Sequence, residues 1–487
     1  MSDVIRHQGH AYILATSPRL ALSTLTLKEG DTFAVFDRFG DMGSVGGGEQ
    51  GVFHKGTRVL SMHEFRLGNQ RPLLLSSTVH ERNALLAADL TNPDIRLADE
   101  RILLRGTLHV FRGQFLQDGA LYSRTRLHNY GDVPLDTDIS FLFDADFVDV
   151  FQVRGVLRKR HGTRRVEVGE RSVGLFYDGL DGVTRSTRIE FSDEPDTLTA
   201  DRASFRLRLP PRGPVELFHT IRFDGEATAE RPGEESFSRR REALVGRLQE
   251  GDTAVVDTSN EQFNHWIHRS SADLRMLVTR RPEGAYPYAG VPWFSTVFGR
   301  DGLITALQLL WLDPSMARGV LATLAALQAD SERPEQDAEP GKILHEARDG
   351  EMAALGEVPY SRYYGSADST PLFVLLAARH FRRVGDRAFA ETMWPHVERA
   401  LAWIDQYGDR DGDGYVEYAR HRPDGLVNQG WKDSEDSVSH DDGRLADGPI
   451  ALCEVQAYVY AARRGAAEMA RALGHADRAA ALDAQAD

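Results

Sequence analysis

Residues 204–223, SFRLRLPPRGPVELFHTIRF, show the pattern that decides the fold of the first half of the chain. Apolar and polar residues alternate on both sides of a Pro-Pro-Arg-Gly-Pro turn, which predicts two antiparallel β-strands joined by a tight connection. Similar stretches occur earlier in the sequence, at 32–36, 101–111, 165–177 and 188–191. Many short strands with short connections predict an antiparallel β-sandwich.

After these strands the pattern changes and stays changed. Residues 236–250, SFSRRREALVGRLQE, carry apolar residues at helical spacing and predict a linking helix. Six later segments have apolar residues three and four positions apart, which predicts helices at 261–280, 302–328, 369–384, 387–407, 449–473 and 475–486. We therefore expect an α+β multidomain protein, with a sandwich over 1–233, a helical linker over 234–258 and a helical domain over 259–487.

Composition narrows the classes of function. The 487 residues include 58 Lys and Arg against 73 Asp and Glu, a net charge of −15, which argues against nucleic acid or anionic membranes as partners. A single cysteine, Cys453, excludes an intrachain disulfide. The apolar patch at 11–15 is too short for a signal peptide, and the glycine-rich segment Gly43–Gly48 lacks the Gly-Lys-Ser/Thr of a phosphate-binding loop. We expect a cytoplasmic protein without a cofactor or a bound metal; its oligomeric state stays open.

Three long connections interrupt the helical half, and loops of this size in a compact domain commonly carry function. They are residues 281–300, 330–367 and 408–448. In the first, Trp293 and Phe294 precede Arg300-Asp301. Aromatic faces stack on sugar rings, and an Arg-Asp pair can donate to and accept from adjacent hydroxyls. The same residues could instead be core rings and a helix cap.

The second connection brings polar and aromatic groups into two linked loops. Glu346 and Arg348 lie in the first of these loops, and Tyr364 and Asp368 lie in the second. Such groups could line a binding site, or they could form a solvated loop held by ion pairs.

The third connection contains two acidic motifs. Residues 409–414, DRDGDG, resemble the first half of a calcium-binding loop, but Arg420 stands where such a loop needs glutamate, and a tight Asp/Gly turn is the alternative. Residues 430–437, GWKDSEDS, place three carboxylates around Lys432. Crowded like charges favour keeping one carboxyl protonated, as a general acid requires. An acidic surface loop would show the same spacing.

Taken in order, four motifs resemble the catalytic domain of the glycogen-debranching, amylo-α-1,6-glucosidase-like family, a relative of the α/α-toroid glucoamylases and trehalases. The motifs are PWFSTVFGRDGLI (292–304), LHEARDGEMA (344–353), YYGSADSTPLF (363–373) and GLVNQGWKDSEDS (425–437). Residues 53–61 and 143–155, the latter FDADFVDVFQVRG, resemble signatures of the β-sandwich that precedes this toroid.

The resemblance implies inverting hydrolysis of α-glucosidic bonds in an α-glucan or oligosaccharide, at α-1,6 branch stubs or chain ends. Asp433 matches the family's general acid, and Asp436 is the second candidate. The resemblance implies pocket-shaping roles for Trp431 and Lys432, and it assigns the glucose hydroxyls to Arg300 and Asp301. Together with the loop residues above, the expected substrate-binding set is Trp293, Phe294, Arg300, Asp301, Glu346, Arg348, Tyr364, Asp368, Trp431 and Lys432.

Two departures from the family pattern shape the expectations. The family toroid has twelve helices against six predicted here, so we expect a truncated helical domain whose general base lies beyond residue 487. Gly56 also stands where an acidic residue is expected. Alternative readings are a trehalase-like enzyme, a glucosylglycerate-type hydrolase, a phosphorylase, or an inactive glucan-binding protein.

Overall fold

The computed structural model describes residues 4–7, 10–13, 24–43, 48–80, 82–96, 102–225, 230–249, 256–423 and 425–487. Five features of the sequence fall partly or wholly outside these residues. They are the end of the apolar patch at 14–15, the centre of the glycine-rich segment at 44–47, the first residue of the predicted strand at Arg101, the end of the predicted linker at 250–255, and Asp424 in the third connection. In the described part of the chain, no helix is both long enough and apolar enough to cross a membrane.

Where the structure describes it, the first half of the chain forms antiparallel strands and one short helix, α1 (Val150–Val153). The strands are β1 (Val4–His7), β2 (His10–Ile13), β3 (Leu25–Glu29), β4 (Thr32–Phe36), β5 (Gly51–His54), β6 (Thr57–Leu60), β7 (Met62–Leu67), β8 (Leu73–His80), β9 (Leu85–Thr91), β10 (Ile95–Arg96), β11 (Ile102–Leu103), β12 (Leu108–Gln117), β13 (Ala120–Asn129), β14 (Leu135–Asp144), β15 (Thr163–Val168), β16 (Ser172–Asp178), β17 (Thr184–Phe191), β18 (Thr197–Leu198), β19 (Arg202–Leu209) and β20 (Pro214–Phe223).

These strands form a sandwich around one apolar core. An eight-stranded sheet runs in the order β15-β16-β17-β20-β13-β12-β9-β8, and two four-stranded sheets run β18-β19-β14-β7 and β3-β4-β5-β6. Strands β12 and β13 pair in continuous register from Leu108↔Asn129 to Gln117↔Ala120. Residues of all three sheets, including Val52, Val110 and Phe141, share the buried cluster between them. The predicted β-sandwich is confirmed.

Two stretches predicted as single strands are each divided by a turn. Residues 165–177 contain the hairpin of β15 and β16, closed where the Gly169 amide donates to the Ser172 carbonyl at 2.8 Å. Residues 101–111 are broken between β11 and β12 by Gly106, whose φ of +82° an L side chain rarely adopts. Both predictions of uninterrupted strands were wrong because local turn geometry overrode the alternating pattern.

The linking helix, α2 (Glu234–Gln249), packs on the sandwich. Its Phe237 and Leu244 are buried with Phe115, Tyr122 and Phe218 of the large sheet. These contacts use the apolar stripe that the sequence spacing predicts.

The second half of the chain is mainly helical. Its helices are α3 (Glu261–Leu277), α4 (Gly299–Leu309), α5 (Pro314–Ala326), α6 (Glu351–Ala354), α7 (Ser369–Val384), α8 (Arg387–Trp403), α9 (Cys453–Leu473) and α10 (Ala476–Ala486). Short strands β21 (Val278–Arg281), β22 (Gly284–Pro287), β23 (Val297–Phe298) and β24 (Glu346–Ala347) lie in the connections. Brief helical turns occur at Pro334–Gln336, Pro359–Ser361 and Ile404–Gly408.

The predicted helix over 302–328 is in fact two helices, α4 and α5. The Asp313 carboxylate accepts a hydrogen bond from the Ser315 amide at 3.0 Å, and Pro314 occupies the first turn of α5. Proline at that position starts a helix and disfavours helical geometry in the residue before it. The predicted helix over 261–280 also ends early, at Leu277, because Val278–Arg281 pairs with Gly284–Pro287 as a hairpin. The described helical half therefore has seven helices of eleven or more residues.

Helix α7 lies at the centre of this half. Residues of α4, α5, α7, α8, α9 and α10 share one apolar cluster, in which Leu303, Val320 and Phe373 are fully buried. The connections between these helices converge on the amino end of α4, where the candidate site lies.

Candidate active site

The amino end of α4 is held by close backbone contacts. A Cβ atom at Gly299 would lie within 3.0 Å of the Leu344 carbonyl oxygen, which real Cβ atoms essentially never do, and one at Gly302 would lie 2.5 Å from the Tyr286 hydroxyl. The Gly299 amide also donates to the His345 carbonyl at 2.8 Å. The glycines that flank Arg300-Asp301 therefore let the helix end press against its neighbours, and this fixes the direction of both side chains.

Arg300 joins three separate segments of the chain. Its side chain is buried, and Nη1 donates to Asp368 Oδ2 at 3.2 Å and to the Gly430 carbonyl at 2.7 Å. Nη2 donates to Asp433 Oδ2 at 2.7 Å. Burial acts to lower the pKa of Arg300, but the carboxylates of Asp368 and Asp433 outweigh it and raise that pKa. Paired charges with satisfied hydrogen bonds make such burial tolerable.

Asp368 holds Arg300 from the buried side of the site. It is fully buried and also accepts a hydrogen bond from Ser366 Oγ at 2.6 Å. Burial raises the pKa of Asp368. Because its carboxylate does not reach the surface, we infer that it positions Arg300 and does not touch a ligand itself.

A cavity of about 470 Å³ opens above Arg300 and Asp433. Its lining is aromatic and apolar with three charged groups, and consists of Leu274, Leu277, Pro287, Tyr288, Ala289, Phe294, Phe298, Arg300, Asp301, Ile304, Thr305, Trp431 and Asp433. Phe294 is 45% exposed and Trp431 57% exposed, so both rings present a face to solvent. The Asp433 side chain is 39% exposed, which leaves its carboxyl accessible from the cavity.

Asp301 lies in the same cavity but does not share the contacts of Arg300. Burial raises the pKa of Asp301, Arg300 lowers it, and the nearby Asp433 and Asp368 raise it further. The two neighbours in sequence thus play different parts: the guanidinium anchors the Asp433 loop, and the Asp301 carboxyl faces the space a ligand would fill.

Glu346 and Arg348 form a buried brace beside the cavity. Arg348 Nε donates to Glu346 Oε2 at 2.8 Å, and Arg348 Nη1 donates to the Trp293 carbonyl at 2.9 Å. Glu346 pairs with Phe298 in the short β23–β24 ladder. Burial raises the pKa of Glu346. These residues hold the Trp293-Phe294 segment and are not part of the cavity lining.

Three further predicted site residues lie outside the cavity lining, and their roles stay predictions. Tyr364 belongs to the apolar cluster of the helical half, and its hydroxyl donates to the Leu327 carbonyl at 2.7 Å, so it does not face the cavity. Lys432 makes no ion pair with any residue the structure describes and instead lies 5.7 Å from the Trp431 ring centroid. Asp436 is exposed outside the cavity lining. The counter-charge of Asp433 is Arg300, which is 133 positions away and invisible to local spacing.

Sequence reasoning missed the apolar part of the cavity wall. Leu274 and Leu277 of α3, Tyr288 after β22, and Ile304 of α4 all line it. Their spacing in α3 predicted only a buried helical face, and no local signal distinguishes a face that meets another helix from one that meets a ligand.

The acidic motif at 409–414 forms a tight turn. Asp409 accepts hydrogen bonds from the amides of Gly412 at 2.8 Å and Gly414 at 3.1 Å. Carboxylate oxygens of Asp409, Asp411, Asp413 and Glu417 lie within 4.8 Å of one another. The hydrogen bonds to backbone amides account for the turn without further ligands.

The architecture is shared with solved carbohydrate-active proteins. About 95% of the chain superposes on 66% of a protein from the human microbiome provisionally assigned as a kojibiose phosphorylase, with a TM-score of 0.57 and 9% identity. About 94% superposes on 64% of a bacterial glucoamylase complexed with acarbose, with a TM-score of 0.53 and 10% identity. The protein therefore has the fold of an antiparallel β-sandwich followed by an α/α-toroid helical domain. The chain spans about two thirds of the length of these two proteins.

The β-sandwich also resembles a known domain family in its sequence. Residues 27–220 match the family model described as the N-terminal domain of (some) glycogen debranching enzymes. The resemblance inferred from the motifs is thus confirmed for this domain and for the two-part fold. A search of curated proteins finds no match to the chain.

Proposed function

We propose that the protein is a glycoside hydrolase that cleaves α-glucosidic bonds, with Asp433 as the general acid. The observation that carries this proposal is the position of Asp433. Its carboxyl is held at 2.7 Å by the buried Arg300 and lies at the edge of a cavity walled by Phe294, Phe298 and Trp431. An acid beside aromatic sugar-stacking faces suits protonation of a glycosidic oxygen.

The contacts of Asp433 suit donation of a proton to a bound sugar. A sugar ring in the cavity would cover the exposed part of the Asp433 carboxyl and bring its glycosidic oxygen beside that carboxyl. Once the proton has passed to the leaving oxygen, the hydrogen bond from Arg300 Nη2 stabilises the carboxylate that remains. In the proposal, Asp301 binds glucose hydroxyls and Arg300 holds Asp433 in place at the cavity wall, while Trp431 and Phe294 stack on the sugar rings.

The finer specificity we propose is for α-1,6 branch stubs or chain ends of glycogen-like glucans, with inversion. Its support is the family of the N-terminal domain. Inversion requires a second carboxylate at roughly 6.5–9.5 Å from the acid, with a water between. The anomer first released therefore reports this part of the proposal directly.

Phosphorolysis is the second candidate, because the fold is shared with the protein assigned as a kojibiose phosphorylase. In that reaction inorganic phosphate replaces water as the attacking group, and Asp433 would keep the same role as acid.

The test is to incubate the complete protein with branched limit dextrin, maltose, isomaltose and trehalose, with and without phosphate, and to follow the products by proton NMR. We expect β-glucose to appear first, without phosphate, from the branched substrate. Glucose 1-phosphate formed only with phosphate would favour phosphorolysis. If none of the four sugars is cleaved, either with or without phosphate, the proposal is contradicted.

A further inference from the structure

The sandwich contributes a segment to the neighbourhood of the cavity. Helix α1 is capped by Asp149, whose Oδ1 accepts from the Phe151 amide at 3.0 Å, while Gln152 Oε1 accepts from the Asp149 amide at 3.3 Å. The Val150 amide donates to the Gly56 carbonyl at 2.8 Å. These contacts fix α1 to the rest of the sandwich.

The same segment is fixed to the helical half. Asp149 Oδ2 accepts from the Met352 amide at 3.1 Å, and the Phe151 ring stacks on Tyr360 with centroids 5.4 Å apart and planes at 15°. Nearby, Arg158 Nη1 donates to Glu351 Oε2 at 2.6 Å, and both side chains are buried. Helix α1 is therefore held from both sides.

Arg154 lies at the carboxyl end of α1, close to Phe294 of the cavity lining and to Trp293, which lies next to that lining and packs on the cluster that contains Phe151. Its guanidinium carbon is 5.8 Å from the Trp293 ring centroid and 6.0 Å from that of Phe294. Arg154 is exposed; its backbone amide donates to the Val150 carbonyl at 3.1 Å, but its guanidinium has no hydrogen bond or ion pair with the described residues. An exposed guanidinium over two rings combines hydrogen-bond donors with a stacking surface.

We infer that Arg154, Trp293 and Phe294 form a subsite for the sugar on the leaving-group side of the bond, so that the two halves of the chain share one binding site. Phe294 also lines the cavity with Asp433. A ligand whose terminal glucose lies at Asp433 and that continues past Phe294 would meet Arg154. The ligand class is a neutral glucan of two or more residues. This inference rests on the proposed function.

The experiment compares R154A and R154K with R160A, which removes an exposed arginine from the loop that follows α1. KM and kcat are measured for maltose, maltohexaose, a branched dextrin and an aryl α-glucoside. A hydrogen bond from a charged donor is worth about 10- to 100-fold in binding. We expect R154A to raise KM for maltose and for the longer glucans about tenfold or more with kcat retained, R154K to recover part of the loss, and R160A to match the wild type.

Calorimetric binding of maltohexaose to the D433N protein separates this inference from the proposed function. Weaker binding of maltohexaose to the double variant R154A/D433N than to D433N supports the subsite, whatever the rate of hydrolysis. Binding that is unchanged by R154A overturns the subsite and leaves the proposed function standing. An equal loss for the aryl glucoside and for the long glucans would also overturn it. If maltohexaose does not bind to the single variant D433N, both the proposed function and the subsite are contradicted.

Discussion

Arg300 links the parts of the site that are farthest apart in sequence. One planar guanidinium contacts the start of α7 through Asp368 and the 408–448 loop through Gly430 and Asp433. Its fork of donors is rigid, so the three acceptors are held in a fixed relation to one another. The placement of Asp433 is therefore a consequence of Arg300.

We predict that R300K lowers kcat/KM by at least about 100-fold and also destabilises the protein. A lysine ammonium cannot reach three acceptors in the geometry of the guanidinium, and a buried charge that loses its partner costs about 3–5 kcal/mol. The measurements are steady-state kinetics and the thermal unfolding midpoint. R318K is the matched control, because Arg318 pairs with Asp386 at the surface. Equal behaviour of the two variants would contradict this account of Arg300.

Sequence spacing predicted several residues of the site but not the contacts between them. Arg300, Asp301, Trp431, Phe294 and Asp433 were predicted to lie in one pocket, and the structure brings all five to one cavity. Their catalytic and binding roles stay predictions. The local grouping of carboxylates about Lys432 was uninformative, since short loops can point successive side chains in different directions. Only tertiary contacts decide which charge meets which.

Periodicity of apolar residues and helix-start motifs predicted the helices and strands best. Turns that interrupt a continuous apolar pattern were predicted worst. The helix predicted over 369–384 begins at Ser369, although the Asp368 side chain makes no capping hydrogen bond there. The equivalent Asp313-Pro314 start of α5 was missed because apolar residues continue across it. Continuity of the hydrophobic pattern therefore concealed a turn that proline geometry requires.

A buried histidine, His345, comes immediately before β24, and its titration tests the packing around the site. Burial, with Arg300 and Arg348 nearby, lowers the pKa of His345 to about 3. The folded state excludes a proton that the unfolded chain binds near pH 6.5. The contribution of His345 to stability is therefore complete above pH 6.5 and is lost progressively as pH falls toward 3.

We predict that H345Q makes the unfolding free energy less dependent on pH between 6 and 4. The side chain of His345 contributes a slope of about 1.4 kcal/mol per pH unit in that interval, and glutamine does not titrate. Urea titrations at a series of pH values measure the slope for both proteins. The other buried histidines of the described residues, His63, His219 and His380, are present in both proteins and cancel in the comparison. Identical slopes of unfolding free energy against pH for the two proteins would show that the folded state does not keep His345 unprotonated.

At the scale of the whole molecule, the two halves meet through backbone as well as side chains. The division into a sandwich over 1–233, a linker over 234–258 and a helical domain over 259–487 stays our proposal. Within it, α2 packs on the sandwich, and α1 docks against the loop that begins α6. Gly350 lies at that junction, where a Cβ atom would come within 3.0 Å of Asp149 Oδ2.

We predict that G350A destabilises the protein by about 1–3 kcal/mol, because the added methyl group must displace either Asp149 or the α6 loop. The control is G246A in α2, where nothing lies within 4 Å of the new Cβ and alanine favours the helix by about 0.5–1 kcal/mol. Urea unfolding of both variants measures the difference. A G350A protein as stable as the wild type would mean that the two halves are not in contact at this point.

The most direct test of the central claim is turnover by D433N in the complete protein, with E435Q as the matched control from the exposed side of the same loop. We predict that D433N loses at least about 100-fold in kcat on an α-glucan, as expected for removal of a general acid. We also predict that it still binds maltohexaose, and that E435Q retains wild-type turnover. Unimpaired hydrolysis by D433N, or its loss in D436N instead, would contradict the assignment of the acid to Asp433.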